Sequence, residues 1–439
     1  MARERPAYFA IDLSLGGEKS LARLRPHVAT IPSELPAGAR VHHPQNAAKP
    51  LAPQAIVAAL VARAPELGLS QLAVTSAEPL EQADANWQRW LKAGHHGEMD
   101  YLGDGERADP RALMPTAKSV ICVAMPYATN ASLIPAERLL SGAGSDTPRG
   151  QVAAYAQGRD YHPLLWNRLL ALGDFLADLA ARPILARPCV DTAPLLERAI
   201  AARAGLGFVG KNGLVIAPGG SSLLLLGELL VDFDLPVGAP IKDRCGECTK
   251  CLDACPTAAF VGPYILDATR CISYLTIELQ DAIPRELRAP IGTRVFGCDV
   301  CQTVCPFNGS SARARAGCAP ELASTRDGLS LIELLELGAS RYRSVVRRTA
   351  LRRVSRVQLA RNAAVALGNL GDRQHKGALF RAAAQHSSPM VREHAAWALG
   401  RLGAESELRT LSASGQPEAV RVEACRSLAE LLDRAADAT

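Results

Sequence analysis

The segment CGECTKCLDACP, residues 245–256, decides the fold of the middle of this 439-residue chain. Its cysteines, Cys245, Cys248, Cys251 and Cys255, stand at spacings of two, two and three residues, and Pro256 follows the last one. In bacterial ferredoxins this run places three thiolates on one [4Fe-4S] cluster and lends the fourth to a neighbouring cluster. The spacing therefore predicts an iron–sulfur site whose other ligands lie elsewhere in the chain.

A second array, FGCDVCQTVCPFN at residues 296–308, repeats the ending of the first. The two arrays contain seven cysteines, whereas two clusters with four thiolates each require eight. Cys271, between the arrays, supplies the missing ligand. The crossover rule then predicts one cluster on Cys245, Cys248, Cys251 and Cys305 and the other on Cys255, Cys271, Cys298 and Cys301.

Two alternatives concern these ligands. A pair of structural zinc sites would also use cysteines, but zinc sites lack the Cys-Pro crossover ending. Cys318 could replace Cys271 as the eighth ligand. Otherwise Cys318 joins Cys122, Cys189 and Cys425 as cysteines that we expect to be small buried hydrophobes.

The composition excludes several classes of protein. Hydrophobic residues make up 48% and charged residues 21% of the chain, which is typical of a globular protein with a core. No apolar run approaches the roughly 18 residues of a membrane-spanning helix, and the N-terminus lacks the pattern of a secretion signal. A net charge of +5 is too small to indicate nucleic-acid binding by itself. We expect a cytoplasmic protein that does not contact a membrane.

The chain divides into four segments, with a length that suggests about three domains. Residues 1–50, rich in Pro, His and Arg, are predicted to be a disordered extension. Helical and strand patterns are mixed over 51–235, the cysteine arrays occupy 236–320, and residues 321–439 are almost wholly helical. The predicted fold class is α+β: a mixed α/β domain, a bacterial-type two-cluster ferredoxin domain and a C-terminal all-α domain of HEAT-like repeats.

The repeats are three similar segments about 30 residues apart. They are ARNAAVALGNLG at 360–371, REHAAWALGRLG at 392–403 and RVEACRSLAELL at 421–432. Small apolar residues at helical spacing, followed by Leu-Gly in the first two, are typical of helices that stack on their neighbours in a solenoid.

Arginines concentrate ahead of and within the first repeat. No acidic residue occurs between Glu336 and Asp372. The segment contains Arg341, Arg343, Arg347, Arg348, Arg352, Arg353, Arg356 and Arg361. A solvated helix face and a phosphate-binding face for RNA both explain such a cluster.

Gly205, Gly207 and Gly210 match the letters of the dinucleotide-binding fingerprint. However, a helical pattern precedes them and a strand-like stretch follows, the reverse of the arrangement that binds a pyrophosphate. The segment is better interpreted as a Gly-rich turn. It could bring backbone N–H groups and Lys211 to a different flat or phosphorylated cofactor, or simply terminate a helix.

Two aspartates, Asp160 in YAQGRDYHP and Asp191 in CVDTAPLLER, each precede a helical pattern. A Pro follows each within three residues, so both could be helix N-caps. Because Tyr161 and His162 adjoin Asp160, a site that handles protons is the alternative there.

Together these features resemble the epoxyqueuosine reductase family over about residues 51–439. The resemblance rests on HHGEMDYL (95–102), RADPRALMPTAKSVI (107–121), YAQGRDYH (155–162), VDTAPLLERAIAARAGLGFVGKN (190–212) and both cysteine arrays. It implies a cobalamin-binding α/β domain, two [4Fe-4S] clusters that pass electrons to cobalamin, and helical repeats that help to hold tRNA. The implied reaction reduces epoxyqueuosine in the anticodon loop to queuosine.

The resemblance also implies roles for individual residues. Asp191 matches the proton donor, which we expect to be buried with a raised pKa. Asp160 and His162 are second choices that help to form the pocket. Arg107, Lys211 and Asn212, together with Asp191 and His162, are predicted to contact cobalamin. The predicted tRNA contacts are Arg198, Arg347, Arg348, Arg352 and Arg353.

The implied partners are tRNA and an external low-potential electron donor, and the implied state is a monomer. A reductive dehalogenase would use the same cofactors, but it would need an export signal and a membrane anchor, and the helical repeats would be superfluous. A non-enzymatic electron carrier would leave Asp191 and the arginines without a role. The first 50 residues have no counterpart in ordinary members of the family.

Overall fold

The computed structural model of the chain describes residues 35–45, 49–127, 148–309, 318–323, 328–413 and 415–436. Their strands are β1 (Arg40–His42), β2 (Gln71–Ser76), β3 (Ser119–Pro126), β4 (Arg149–Val152), β5 (Ile184–Cys189), β6 (Phe208–Val209), β7 (Val215–Ile216), β8 (Leu224–Val231), β9 (Phe260–Gly262), β10 (Ile265–Leu266), β11 (Arg294–Phe296) and β12 (Leu329–Ser330).

The helices of the described residues are shortest around the cysteines and longest at both ends. They are α1 (Pro53–Arg63), α2 (Glu81–Lys92), α3 (Tyr161–Ala180), α4 (Glu197–Ala204), α5 (Lys250–Asp253), α6 (Ile272–Ile277), α7 (Arg285–Arg288), α8 (Val300–Thr303), α9 (Leu331–Leu335), α10 (Ala339–Val346), α11 (Arg356–Leu370), α12 (Lys376–Gln385), α13 (Pro389–Arg401), α14 (Glu405–Ala413) and α15 (Glu418–Ala436). Within the described ranges, none of these helices has the length and apolar character to cross a membrane.

A five-stranded sheet organises the first half of the chain. The strand order is β1-β5-β8-β3-β2, and every neighbouring pair is antiparallel. Every residue of β3 is buried, because successive side chains point into two different cores. Ile121 and Val123 pack with α1 and α3, whereas Val120 and Cys122 pack with α4. The central strand β3 is therefore apolar on both faces.

The N-terminal boundary differs from the prediction. β1 pairs with β5 at the edge of the sheet, with Val41 opposite Leu185. His42 is buried, and its Nδ1 lies 2.7 Å from a carboxylate oxygen of Asp174 on α3. Among residues 1–50, residues 40–42 thus belong to the folded unit, because edge pairing satisfies their backbone groups. Residues 1–34 and 46–48 lie outside the described residues.

A small three-stranded sheet joins the predicted domains. β4 pairs in parallel with β11, which precedes the second cysteine array, and antiparallel with β12, which precedes the helical segment. The backbone N–H of Ala154, just after β4, also donates to the Asp299 carboxylate at 2.8 Å. The segments predicted as 51–235, 236–320 and 321–439 therefore interlock instead of forming separate bodies, and the boundaries between them stay predictions.

The C-terminal helices stack as the repeats predict. α11, α13 and α15 carry the three similar segments and pack in succession, with α12 and α14 as shorter partners. A Cβ on Gly368 would lie 2.8 Å from the Cα of Ala398, and one on Gly400 would lie 2.6 Å from the Cβ of Ser427. Glycine at these two positions lets the helices approach closely.

Arg361 fastens this helical layer to the cysteine-rich segment. Its side chain is fully buried on α11 and donates hydrogen bonds to the carbonyl oxygens of Leu275, Leu279 and Asp281 at 2.6–2.9 Å. Asn362 beside it donates to two further backbone carbonyls. Arg361 therefore holds two parts of the chain together and is not available to contact RNA.

Replacing Arg361 with Met should lower the free energy of unfolding by about 3–5 kcal/mol, because three buried carbonyls lose their donor. The matched control is Arg347→Met, which removes an exposed arginine and should change stability by less than about 0.5 kcal/mol. Guanidinium denaturation measures both. Equal effects of the two substitutions would contradict the role of Arg361.

Candidate active site

The cysteines of the two arrays come together in the two predicted sets. Burial raises the pKa of Cys245, Cys251 and Cys305, and the charges of cysteines in that same set raise it further. Burial likewise raises the pKa of Cys271, Cys298 and Cys301, whose neighbours are Cys255 and one another. The charge of Cys251 also raises the pKa of Cys301, so the two sets are adjacent. Their role as ligands stays a prediction.

The chemistry of these thiols fits two iron–sulfur clusters. No three His, Cys, Asp or Glu side chains within the described ranges are arranged around a single metal ion. A [4Fe-4S] cube is larger than an ion and holds its thiolates farther apart. Backbone N–H groups also donate to two of the predicted ligand sulfurs: Lys211 donates to Cys245 Sγ at 3.4 Å and Ala259 to Cys255 Sγ at 3.3 Å.

The four other cysteines lie apart from these sets. Cys122 and Cys189 are buried, as expected of small hydrophobes, and Cys318 is half-buried. Cys425 is exposed on α15, so the expectation of burial is wrong for it. The neighbours that raise the pKa of the cluster thiols do not include Cys318, which donates to the Ala319 carbonyl.

Asp160, His162 and Asp191 form a hydrogen-bonded row. His162 Nδ1 lies 2.7 Å from Asp160 Oδ1, and His162 Nε2 lies 3.2 Å from Asp191 Oδ2. Asp160 is buried and caps α3 by accepting from the backbone N–H of His162. Asp191 is not an N-cap: α4 begins after Leu196, and the Asp191 side chain is 57% exposed. The exposed end of the row is therefore Asp191.

The two carboxylates keep His162 positively charged. Burial alone would lower the pKa of His162, but its hydrogen bonds to Asp160 and Asp191 and their charges raise it to about 9. This contribution to stability is fully present below the ordinary histidine pKa and is lost as the pH rises through about 9. At neutral pH the row is a carboxylate–imidazolium–carboxylate array.

The state of Asp191 corrects the sequence expectation of a raised pKa. Partial burial opposes its ionisation, but the hydrogen bond and charge of His162 outweigh burial, with help from Arg353, so its pKa lies below the ordinary value. Asp191 is thus ionised at neutral pH. Its side chain is also half-exposed and not buried. The proton of this site resides on His162.

The arginine-rich turn after α10 closes over this row. The backbone N–H of Asp160 donates to the Arg348 carbonyl at 2.8 Å, and Arg352 Nε lies 3.1 Å from Asp160 Oδ2. Arg353 forms two 3.0 Å hydrogen bonds with Glu278. No acidic residue is close to these arginines in the sequence, so their carboxylate partners come from distant parts of the chain. Arg347 and Arg348 are exposed, and no ion-pair partner for them occurs among the described residues.

Three of the residues predicted to contact the cofactor or the tRNA donate hydrogen bonds to backbone carbonyls. Arg107 donates to the carbonyls of Tyr101 and Leu102, and Lys211 Nζ donates to the Gly246 carbonyl. Arg198 donates to the Gly213 carbonyl and so joins α4 to the turn that follows β6. These three side chains are already engaged with the backbone.

Asn212 offers a free buried donor beside the same turn. Its side chain is 6% exposed, and its Nδ2 has no acceptor within the described part of the chain. Its Oδ1 accepts from the Leu214 N–H at 3.2 Å. Cobalamin carries amide groups around its corrin ring whose oxygens would satisfy such a donor, so the residues present fit this cofactor.

Four further residues, which sequence patterns do not assign to the site, complete it. Tyr101 lies under Arg353, with the guanidinium carbon 5.5 Å from the ring centre. Glu278 pairs with the same arginine, Glu197 accepts from the Asp191 backbone N–H at 2.7 Å, and Glu228 lies buried behind Glu197. The signal for Glu228 is a single charge in the apolar strand LLLLGELLV. Tyr101, Glu197 and Glu278 have no comparable signal in the sequence.

The His162 array predicts an unusual titration. In nuclear magnetic resonance spectra the His162 ring should titrate near pH 9, and Asp160→Asn combined with Asp191→Asn should return its pKa to about 6.5 or lower, because burial is then unopposed. His394, buried on α13, is the internal control and should not respond. A wild-type His162 that titrates near 6.5 would disprove the charged row.

Comparison with known proteins agrees with this architecture. A family model described as "Epoxyqueuosine reductase QueG, DUF1730" matches residues 107–192, which include Asp160, His162 and Asp191. A 4Fe-4S double cluster binding domain matches residues 244–308, and HEAT repeats match residues 348–429. The three matches follow the predicted order, and the double-cluster domain covers all eight predicted ligands.

Three relatives illustrate the similarity. Epoxyqueuosine reductase of Escherichia coli K12 is 42% identical over 340 residues, which are 76% of this chain and 86% of the relative. A Bacillus subtilis epoxyqueuosine reductase structure, with its catalytic aspartate loop swung out of the active site, has a TM-score of 0.74 and 29% identity over 86% of this chain and 99% of that one. An epoxyqueuosine reductase structure with an epoxyqueuosine-modified tRNA-Tyr stem loop has a TM-score of 0.73 and 30% identity over the same shares. With this sequence identity over most of both chains, the protein belongs to the epoxyqueuosine reductase family.

Proposed function

We propose that the chain reduces the epoxide of epoxyqueuosine in a tRNA anticodon stem-loop and thereby forms queuosine. The observation that carries this proposal is the direct contact between the arginine-rich turn and the charged row, through Arg348, Arg352 and Asp160. It sets exposed cations beside a proton-bearing group. A relative that was crystallised with an epoxyqueuosine-modified stem loop supports the same substrate.

The overall chemistry sets what the site must provide. Conversion of the epoxide to an alkene consumes two electrons and two protons and releases the oxygen as water. Cobalamin, when bound, supplies the strongly reducing metal centre, and the two [4Fe-4S] clusters supply it with single electrons from an external donor. The remaining tasks, which are to hold the substrate and to deliver protons, fall to side chains.

The charged row delivers one of the two protons through Asp191, and the other is taken up from water. Because Asp191 is ionised and accepts from His162 Nε2, the proton starts on the imidazolium. As negative charge develops on the departing oxygen, the proton shifts from His162 through the Asp191 carboxyl to that oxygen. Asp191 is half-exposed and can reach a substrate atom, whereas Asp160 is buried and orients the ring from behind.

We assign the other predicted contacts on the same grounds. Asn212 would hold a cobalamin amide through its unpaired Nδ2, and Lys211 and Arg107 would shape the turns around the cofactor. Arg347 and Arg348 would contact RNA phosphates. Arg352 and Arg353 are balanced by acids, so they would act at the site and add little to the affinity for RNA.

The rival functions lack comparable support. Family membership favours the reductase over a dehalogenase or an electron carrier, and HEAT repeats match a segment for which neither rival has a use. We further propose a cytoplasmic location, where tRNA is modified, a monomeric state and an external low-potential electron donor.

Asp191→Asn should lower turnover of an epoxyqueuosine-containing stem loop by about 10²- to 10⁴-fold, because the amide cannot pass a proton from His162. Asp160→Asn should lower it less, since His162 keeps its bond to Asp191. Queuosine formation by reduced, cofactor-loaded protein is measured by chromatography, with absorption spectra to verify cofactor content. Full activity of the Asp191 variant would remove Asp191 from its assigned role.

Arg347→Ala combined with Arg348→Ala should weaken stem-loop binding and reduce the slope of log affinity against log salt by about 1 to 2 units. The matched control replaces Arg409 and Arg421, two exposed arginines of α14 and α15, with Ala. Fluorescence anisotropy over a salt series measures both. The same slope change in the two variants would mean that only net charge matters.

A further inference from the structure

Glu228 is a buried carboxyl group in the centre of the main sheet. It lies on β8, is fully inaccessible, and stands opposite Cys122 of β3 on one side and Cys189 of β5 on the other. Neither of its carboxyl oxygens has a hydrogen-bond donor among the described residues. A charge without a partner is strongly disfavoured in such a place, so Glu228 must carry a proton.

Glu197 lies between Glu228 and the active-site loop. It is the first residue of α4, its carboxyl group faces that of Glu228, and its Oε1 accepts from the backbone N–H of Asp191 at 2.7 Å. A protonated Glu228 can donate its O–H to Glu197, which fixes the Glu197 carboxyl under the loop. The two glutamates thus form a column from the sheet to Asp191.

The loop needs such a support because Asp191 has a left-handed backbone. Its φ is +57°, a region that residues other than glycine rarely adopt and that persists where surrounding contacts enforce it. Asp191 follows Val190 directly after β5, so a change of this one torsion would redirect its side chain away from His162. The bond from Asp191 N–H to Glu197 holds the residue at that torsion.

We propose that Glu197 is a positioning residue that holds Asp191 beside His162, with the protonated Glu228 as the buried group that keeps Glu197 in place. This inference rests on the proposed role of Asp191. It also gives a role to two acids that the proton-transfer step does not use.

The column should respond to pH. Burial and then the charge of Asp191 raise the pKa of Glu197 to about 8, and burial raises that of Glu228 well above its usual range. As the pH rises through about 8, Glu197 ionises and repels the Asp191 carboxylate, so the loop loses support. The other charged or titratable groups around the column are Arg198 of α4, Arg107 before β3, Tyr161 of α3, Cys122 of β3 and Cys189 of β5.

Amide hydrogen exchange of the cofactor-loaded full chain tests the column directly. At pH 7, Glu197→Ala should increase exchange of the Asp191 amide by about tenfold, since the amide loses the acceptor that it has among the described residues. Glu197→Gln keeps an acceptor oxygen and should restore most of the protection. The matched control is Glu81→Ala, which also removes a glutamate at the first position of a helix, but one that is exposed and remote.

Turnover provides the second readout. Glu197→Ala should lower kcat about tenfold or more and leave KM for the stem loop unchanged. Glu197→Gln should restore kcat and move the start of the alkaline decline from about pH 8 to about pH 9, where His162 titrates. Unchanged Asp191 exchange in Glu197→Ala, or equal loss of protection in the Ala and Gln variants, would overturn the proposal. Loss of protection with full turnover, alongside an active Asp191→Asn, would instead refute the proposed role of Asp191.

Discussion

The pairing of β4 with β11 is the constraint on which the rest of the structure depends. β4 leads through Ala154 into the turn that carries Asp160 and His162, and β11 leads directly into the second cysteine array. The bond between the Ala154 N–H and Asp299, between Cys298 and Cys301, adds a second tie. The segments proposed to hold the clusters and the residues proposed to handle protons therefore share one frame. Electron delivery and proton delivery must meet at one substrate, and this pairing holds their sources in fixed register.

A charged row solves a problem that a buried acid alone would not. An acid in an apolar pocket holds its proton because ionisation is costly there, but Asp191 faces solvent and would lose its proton at neutral pH. The imidazolium of His162 stores the proton instead, since Asp160 and Asp191 both favour its charged form. The exposed carboxylate of Asp191 can then pass this proton to the substrate, although Asp191 is neither a strong base nor a buried acid.

The sequence predicts local features well. Cysteine spacing predicts which thiols come together, and repeats identify stacked helices because each helix must bury the same small-residue face. It predicts poorly what depends on distant partners. The pKa of Asp191 depends on His162, which is 29 residues away, and the burial of Arg361 depends on carbonyls that are 80 to 86 residues away. Nothing in the local pattern around β1 reveals that it completes the edge of a sheet whose other strands begin thirty residues later.

The arginine-rich segment illustrates why a count of charges is a weak guide to a binding surface. Arg361 donates its hydrogen bonds to buried backbone carbonyls. Arg341 pairs with Glu333, and Arg352 and Arg353 pair with acids of other segments. Arg343, Arg347 and Arg348 stay exposed without an acidic partner among the described residues, and of these the neighbouring pair Arg347 and Arg348 adjoins Asp160 through the Arg348 carbonyl. Two cations contribute modest affinity, but their position is fixed because the Arg348 carbonyl accepts from Asp160. In the proposed function, a phosphate held there would lie at a set place relative to the proton donor, so these arginines would orient the RNA more than they strengthen its binding.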